Sequence, residues 1–412
     1  MKKERTFAVY TLGCKLNFSE TSAISRQLSE YGLSLSNTPD YIIINSCAVT
    51  GTAEKKVRNL VSKLHKAHKD SEIIVIGCYS ELQSELVKSW NGVSAVFGSI
   101  NKTKVIGYIL NSENKCNSDL QFSYSSNDRT RSFLKIQDGC DYHCTYCTVA
   151  AARGESRSDT IAHVLQNIEQ IAGTGVKEVN LTGVNIGDFG HGTAETFYDL
   201  LHAIVQQNVV PRIRISSIEP NLLTDAIIEL VAQSDVIMPH FHIPLQSGSN
   251  KILALMKRRY KRELFGKKVN LIKEKMPEAC IAVDVITGFP DENAHDFEYS
   301  YQFIKELPIS YLHVFTYSKR PDTPAATMSN QVPETVKRER TDQLLALSAR
   351  KKEQFYQQNF HKTASVLMEH GKYQDCMFGF SHNYVKVKLP YNETLRNCII
   401  PLEITPENIS LI

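Results

Sequence analysis

The sequence predicts an α/β protein in three parts. An N-terminal βα domain with a parallel sheet spans residues 1–112. A linker (113–131) leads to a partial (β/α)6 barrel at 132–332, and a connecting helix (333–361) leads to a small all-β module at 362–412. Three observations predict this. Strand-like and helix-like segments alternate through the first two parts, which implies parallel sheets. The alternation breaks at a Ser-, Asn- and charge-rich stretch, 111–131. Beyond residue 362 the pattern changes to short strands alone. A chain of 412 residues fits two or three domains of ordinary globular composition. Its net charge of +3 names no partner, so local basic clusters carry more information.

In the first part, apolar runs at 7–13, 41–46 and 73–77 read as strands, separated by helical patterns at 19–31 and 53–68. Each strand leads directly to a cysteine: Cys14, Cys47 and Cys78. Adjacent parallel strands end on one edge, where ligands bind. Cysteines spaced C-x32-C-x30-C are therefore expected to meet in space. Gly13 and Gly77 allow close approach of the backbone. Asn17, Asn45 and Ser46 either tune the sulfurs or cap the following helices. The helix near 53–69 carries Lys55, Lys56, Arg58, Lys63, Lys66 and Lys69, a solvated face or a surface for RNA. Cys116, in the linker, has no partnered spacing.

The barrel is expected to have strands at 132–137, 177–183, 211–217, 240–244, 280–288 and 311–317. Helices are expected near 159–172, 196–207, 224–233, 250–257, 261–275 and 293–306. Six units are fewer than the eight of a closed barrel, so the barrel is open, with its chemistry at the C-terminal strand ends. The loop after the first strand holds Cys140, Cys144 and Cys147, spaced C-x3-C-x2-C. Three thiolates so close in sequence fit one small inorganic centre. A 4Fe–4S cluster held by three of its usual four cysteines keeps one iron open. A zinc knuckle with His143 as fourth ligand is the alternative. Later strand ends carry Gly183 and Asn185, Ser217 and Glu219, Gln246, Asp284 and Gly288. Arg153 and Arg157 follow the cysteine loop and could neutralise a ligand carboxylate or an RNA phosphate, and Arg258, Arg259 and Tyr260 sit in a dense basic run suited to phosphate contact.

The long charged helix at 333–360 precedes strands at 364–368, 377–380, 384–389 and 398–404. Lys386 and Lys388 give the third of these one basic face. Ten cysteines without a signal-peptide h-region or a bilayer-length apolar stretch point to a cytoplasmic protein that uses thiols for metal or cluster chemistry.

The loop Cys140-x3-Cys144-x-Tyr146-Cys147 resembles the cluster motif of radical S-adenosylmethionine (SAM) enzymes. The ordered set of Thr11-Leu12-Gly13-Cys14-Lys15-Leu16-Asn17, Asn45-Ser46-Cys47, Gly77-Cys78, Arg214 to Pro220 and His242 to Ser249 resembles the radical-SAM methylthiotransferases over nearly the whole chain. The C-terminal module resembles the TRAM domain, an OB-like RNA-binding barrel. This resemblance implies two 4Fe–4S clusters and SAM as cofactors. One cluster, on Cys140, Cys144 and Cys147, binds and cleaves SAM; the auxiliary cluster sits on Cys14, Cys47 and Cys78. It implies that Tyr146, Gly183, Asn185, Ser217, Glu219, Gln246, Asp284 and Gly288 serve SAM. RNA contact would fall to Arg153, Arg157, Arg258, Arg259, Tyr260, Lys386 and Lys388. Within the family, Thr-Leu-Gly-Cys-Lys-Leu-Asn with Arg-Ile-Ser-Ser-Ile-Glu is similar to the branch that methylthiolates C2 of N6-threonylcarbamoyladenosine at position 37, in the tRNA anticodon arm. An electron donor and a sulfur source are then required partners. Action on isopentenyladenosine or on a protein side chain is the alternative within the family. A non-catalytic, zinc-dependent RNA-binding protein is the alternative outside it.

Overall fold

The computed structural model describes residues 5–48, 51–112, 122–125 and 130–411. Cys116 lies outside the described residues. The first part is a five-stranded parallel sheet of β1 (Thr6–Thr11), β2 (Ser34–Leu35), β3 (Tyr41–Ser46), β4 (Glu72–Gly77) and β5 (Val93–Gly98), in the order β2-β1-β3-β4-β5. Helices α1 (Lys15–Glu30), α2 (Gly51–Ala67), α3 (Cys78–Leu82), α4 (Ser84–Lys88) and α5 (Lys104–Leu110) cover it. Ile42 to Ile44 and Ile73 to Ile76 are fully buried. Both faces of these strands are covered, which explains their unbroken apolar runs. The edge strands β2 and β5 carry weaker patterns and were not anticipated from the sequence. Thr11 pairs with Asn45, and Ser46 with Gly77, so the cysteine-bearing ends of β1, β3 and β4 lie side by side.

The central part begins with β6 (Arg131–Lys135) and a short ladder, β7 (Gln137–Asp138) with β8 (Arg157–Ser158), enclosing α6 (Val149–Arg153). Units then repeat as α7 (Ile161–Gly173), β9 (Glu178–Thr182), α8 (Phe197–Gln207), β10 (Arg212–Ile215), α9 (Asp225–Gln233) and β11 (His240–Gln246). They continue through α10 (Asn250–Leu255), α11 (Arg262–Lys275), β12 (Cys280–Thr287), α12 (Ala294–Glu306) and β13 (Tyr311–Thr316). Two parallel triplets, β10-β9-β6 and β11-β12-β13, meet through bridges at Ile213–Ile237 and Ser217–His242. The result is six parallel strands in the order β6-β9-β10-β11-β12-β13, open between β6 and β13. Helix α1 of the first part packs against the edge strand β6. Residues 122–125 of the expected linker are also in place: Tyr124 bridges to Leu134.

The barrel strands alternate strictly. Leu134, Val179, Leu181, Ile213, Ile215, Phe241, Ile243, Val283, Val285 and Leu312 face the outer helices in one continuous core. The period of two puts Phe133, Asn180, Arg214, His242, Asp284 and His313 on the inner face. A closed barrel fills its interior with branched apolar side chains. Here the interior is polar, as a ligand-holding lumen must be.

The C-terminal part follows α13 (Pro324–Thr327) and α14 (Glu334–Gln357). It is an antiparallel sheet of β14 (Thr363–Met368), β15 (Cys376–Ser381), β16 (Lys386–Pro390) and β17 (Ile399–Glu403), in the order β16-β15-β14-β17. It packs on Phe355 and Tyr356 of α14 and on Cys280, the first residue of β12. It also caps the N-terminal ends of the barrel strands. Arg212 Nη2 donates to Ser365 O at 2.7 Å and Arg214 Nη2 to Ser381 O at 2.9 Å. Both arginines are fully buried and share Glu178 with Arg131. The module thus floors the lumen at the end opposite the cysteine loop. Lys388 is exposed there and Lys386 lies over the Phe378 ring.

Burial raises the Glu178 carboxyl, but Arg214 and Arg131 outweigh it and hold it below the ordinary range. A depressed carboxylate contributes stability that is complete above its unfolded value, about 4.3, and is lost as pH falls through the folded value. The module is therefore expected to loosen from the barrel in acid, measured as new proteolytic cleavage between α14 and β14 below about pH 4. Arg214→Ala is expected to produce the same loosening at neutral pH, at about 3–5 kcal/mol for a broken buried pair.

Candidate functional site

The first three cysteines occupy equivalent places. Cys14 precedes the first residue of α1, Cys47 follows β3, and Cys78 opens α3. Gly13 has φ +112°, and a Cβ there would stand 2.6 Å from Cys47 Cβ and 2.9 Å from its sulfur. Glycine is thus required by the approach of Cys47. A Cβ on Gly77 would strike Asn45 Oδ1 at 2.4 Å. Asn17 ties the site together: its Nδ2 donates to Leu12 O and Ser46 O at 2.8 and 3.1 Å, and its Oδ1 accepts from the Cys14 thiol at 3.7 Å. Ser99 Oγ donates to Cys78 Sγ at 3.4 Å.

The second triad is wrapped by backbone donors. The Tyr142 N–H points to Cys140 Sγ and the Val149 N–H to Cys147 Sγ, each at 3.4 Å. Gly139 turns the chain into the loop with φ +70°; a Cβ there would lie 1.8 Å from Glu155 O. Thr145 anchors the loop to Leu255 O and Met256 O. Arg258 Nη1 donates to Cys144 Sγ at 3.1 Å, and its Nη2 pairs with Glu219. Burial pushes the Cys140 and Cys147 thiols up, to about 12 and about 11, so a bound metal must displace their protons.

Sulfurs around one tetrahedral zinc lie about 3.8 Å apart at Zn–S near 2.3 Å. Among the described residues neither cysteine triad closes to within 4.8 Å, and His143, which is exposed, forms no such group with the loop. Neither triad is therefore drawn in as the ligands of one zinc ion would be.

One buried network joins the two triads. Glu20 of α1 meets Lys102, Lys135 and Arg153 at 2.6, 2.8 and 3.0 Å. Asp138 meets Lys135, Arg153 and Arg157 at 2.6, 2.9 and 2.8 Å. Arg153 Nη2 donates to Asn17 Oδ1 at 2.8 Å, one hydrogen bond from Cys14. Burial raises the Glu20 carboxyl, but Arg153, Lys102 and Lys135 hold it well below its usual range. Three fully buried cations face two carboxylates, and the Cys14 and Cys78 sulfurs act on Arg153. The surplus positive charge matches a centre bearing thiolates.

Several expectations from the sequence change here. Arg153 is buried in this network and cannot meet RNA. Arg258 and Tyr260 are buried too; the Tyr260 hydroxyl donates to Pro244 O at 2.6 Å. Their basic run folds inward because Glu219 and the Cys144 sulfur demand a cation. Arg259 stays exposed, stacked 3.9 Å over the Tyr142 ring, and Arg157 is half-buried. Gly288 is fixed by Lys337, whose Cγ would lie 2.3 Å from a Cβ. Asp284 accepts from His242 Nε2 at 2.7 Å within the lumen. Gly183 packs on Gln137, which also accepts the Asn185 N–H at 2.8 Å. Tyr146 lies edge-on to Phe289, Ser217 bridges to His242, and Gln246 sits at a bulge with φ +64°. Polar side-chain atoms of Asn185, Ser216, Asn221 and Tyr317 are buried without a partner around the cysteine loop. Such orphans are costly unless a ligand satisfies them, and they fit a polar cofactor at the strand ends. Glu20, Lys102, Lys135 and Asp138 have no such role in the sequence analysis. A lysine inside the apolar run 132–136 was the available signal.

The Radical SAM superfamily model matches residues 134–304, and that of Uncharacterized protein family UPF0004 matches 6–98. The chain is 36% identical, over 97% of its length and 93% of the relative's, to threonylcarbamoyladenosine tRNA methylthiotransferase MtaB of Bacillus subtilis (strain 168). It belongs to the radical-SAM methylthiotransferases. The MtaB protein of Aquifex aeolicus (strain VF5) is 32% identical over 88% of this chain and 92% of its own. A tRNA-2-methylthio-N(6)-dimethylallyladenosine synthase of Staphylococcus aureus (strain JH9) is 32% identical over 84% and 71%. The radical S-adenosylmethionine methyltransferase TsrM of Kitasatospora setae shares the fold at TM-score 0.59 and 12% identity, over 78% of this chain and 77% of that one. The cofactors of a radical-SAM methylthiotransferase are SAM and two 4Fe–4S clusters, and the two triads fit two such clusters. Among the described residues no helix is long and apolar enough to cross a membrane.

Gly139→Ala is expected to break the turn into the second loop and lower iron after anaerobic reconstitution from about eight to about four per chain. Iron and sulfide analysis reads the result.

Proposed function

We propose that this chain methylthiolates C2 of N6-threonylcarbamoyladenosine at position 37 of tRNA. The observation that carries the reading is the pairing of two three-cysteine sites through one buried charge network, in a chain that matches MtaB relatives almost end to end. C2–H is not acidic, so side chains cannot remove it as a proton; when bound, the clusters and SAM supply radical abstraction and the sulfur and methyl groups.

The chain's own residues position that chemistry. Cys140, Cys144 and Cys147 would hold the cluster at which SAM binds. Arg258, fixed by Glu219, sets a positive charge beside Cys144. Asn185, Ser216 and Asn221 offer hydrogen bonds to SAM, and Tyr146 offers backbone and ring. Cys14, Cys47 and Cys78 would hold the auxiliary cluster, with Asn17 and Arg153 tying Cys14 to the barrel side of the network. The lumen is open to the base at the strand ends, and the C-terminal module closes its floor. Exposed Arg259 and Lys388, half-buried Arg157 and the basic face of α2 are available for tRNA phosphates, and an electron donor and a sulfur source act as partners. The three domains of the sequence reading correspond to auxiliary-cluster holder, radical core and floor, and the enzyme works in the cytoplasm.

Cys144→Ala is expected to abolish SAM cleavage. Cys47→Ala is expected to keep some uncoupled 5′-deoxyadenosine formation and lose methylthiolation; full product from Cys47→Ala would overturn the auxiliary-cluster assignment. Nucleoside mass spectrometry of tRNA from a deletion strain decides the substrate. Loss of the 2-methylthio derivative of threonylcarbamoyladenosine supports the proposal. Loss of only the dimethylallyl derivative, or unchanged tRNA, transfers the activity to the other substrates.

A further inference from the structure

The barrel lumen contains, toward its floor, a cation that no ion pair among the described residues neutralises. Lys15 is the first residue of α1, directly after Cys14, and enters the barrel through the gap beside β6. Its ring neighbour is Phe133 of β6, with the ammonium 6.0 Å from the centroid. Among the described residues its ammonium has no ion-pair or hydrogen-bond partner. It is exposed, yet walled by the inner faces of β6, β9, β10, β11 and β13: Arg131, Glu178, Arg214, His240 and His313 all lie within electrostatic reach, as does the sulfur of the adjacent Cys14. Glu178, the carboxylate in this set, is already shared by three arginines. A lysine in the first turn of a helix also sits at the positive end of the helix dipole, where cations are disfavoured. Like charges, an unfavourable dipole and no partner all oppose Lys15, so a ligand anion is what its place calls for.

Resting on the reading above, we propose that Lys15 recognises the substituent on the target adenine, its ammonium receiving the carboxylate of the threonylcarbamoyl group inside the barrel. The His242–Asp284 pair and His313 present further polar atoms in the same lumen, three ligand atoms within 4.8 Å of one another, suited to the substituent's hydroxyl and carbamoyl groups. A dimethylallyl group has no charge to offer Lys15. The lysine thereby selects between the two kinds of modified adenosine on which the relatives act.

The test uses the cluster-loaded, full-length protein and three anticodon stem-loop oligonucleotides, bearing threonylcarbamoyladenosine, its carboxyl methyl ester, or unmodified adenosine. Fluorescence anisotropy is expected to show wild-type preference for the free acid over the ester of about tenfold, the scale of a charged hydrogen bond. Lys15→Gln is expected to bind acid and ester alike, and Lys15→Arg to restore most of the preference. A Lys15→Gln protein that keeps the full preference overturns the proposal while leaving the substrate reading intact. A wild type that binds all three alike overturns both. Iron content and the cluster absorption spectrum are measured on each variant; loss of the auxiliary cluster from Lys15→Gln shows that the lysine serves the cluster and overturns its role in recognition.

Discussion

The Glu20–Arg153–Asp138 network is the constraint on which the rest of the molecule depends. It binds α1 of the first sheet to the residues that follow the cysteine loop of the barrel, and through Asn17 it reaches Cys14. Buried ion pairs contribute little net stability, because desolvation offsets their attraction, but removing one partner strands the others. Their value here is registration. A reaction shared between two metal centres requires a fixed separation between them, and apolar packing alone permits sliding that hydrogen-bonded charges do not.

The polar lumen follows from the same frame. Six strands do not close a barrel, so the interior has an open side and cannot be sealed by side chains alone. Two other parts of the chain complete it: α1 covers the open side beside β6, and the C-terminal module closes the floor through Arg212 and Arg214. Charged residues face inward because they have partners there, in Glu178 and in the backbone carbonyls of Ser365, Ser381 and His382. The wall between, from Phe133 to His313, is left for a ligand.

The fold was largely legible in the sequence. Period-two and helical patterns placed all six barrel strands and their helices within a few residues, because each strand faces an apolar helix layer on one side. Cys14, Cys47 and Cys78 were legible because each follows a strand end, and Cys140, Cys144 and Cys147 because they share one short loop. The basic residues were read less well. Arg153, Arg258 and Tyr260 looked like surface groups for RNA, since sequence reports a charge without its partner. Glu219 precedes Arg258 by 39 residues, and Glu20 precedes Arg153 by 133. No local pattern carries pairs that distant.

The sequence by itself determined the chemistry: six thiolates in two sets of three, at strand ends, on a parallel α/β scaffold. Local spacing fixes these, because periodicity sets strand ends and the cysteine loop is short. Only the tertiary structure decided how the two sets address each other and what lies between them. Those relations depend on buried charges meeting across domains and on α1 delivering Lys15 into the open barrel, which residue spacing along the chain does not encode.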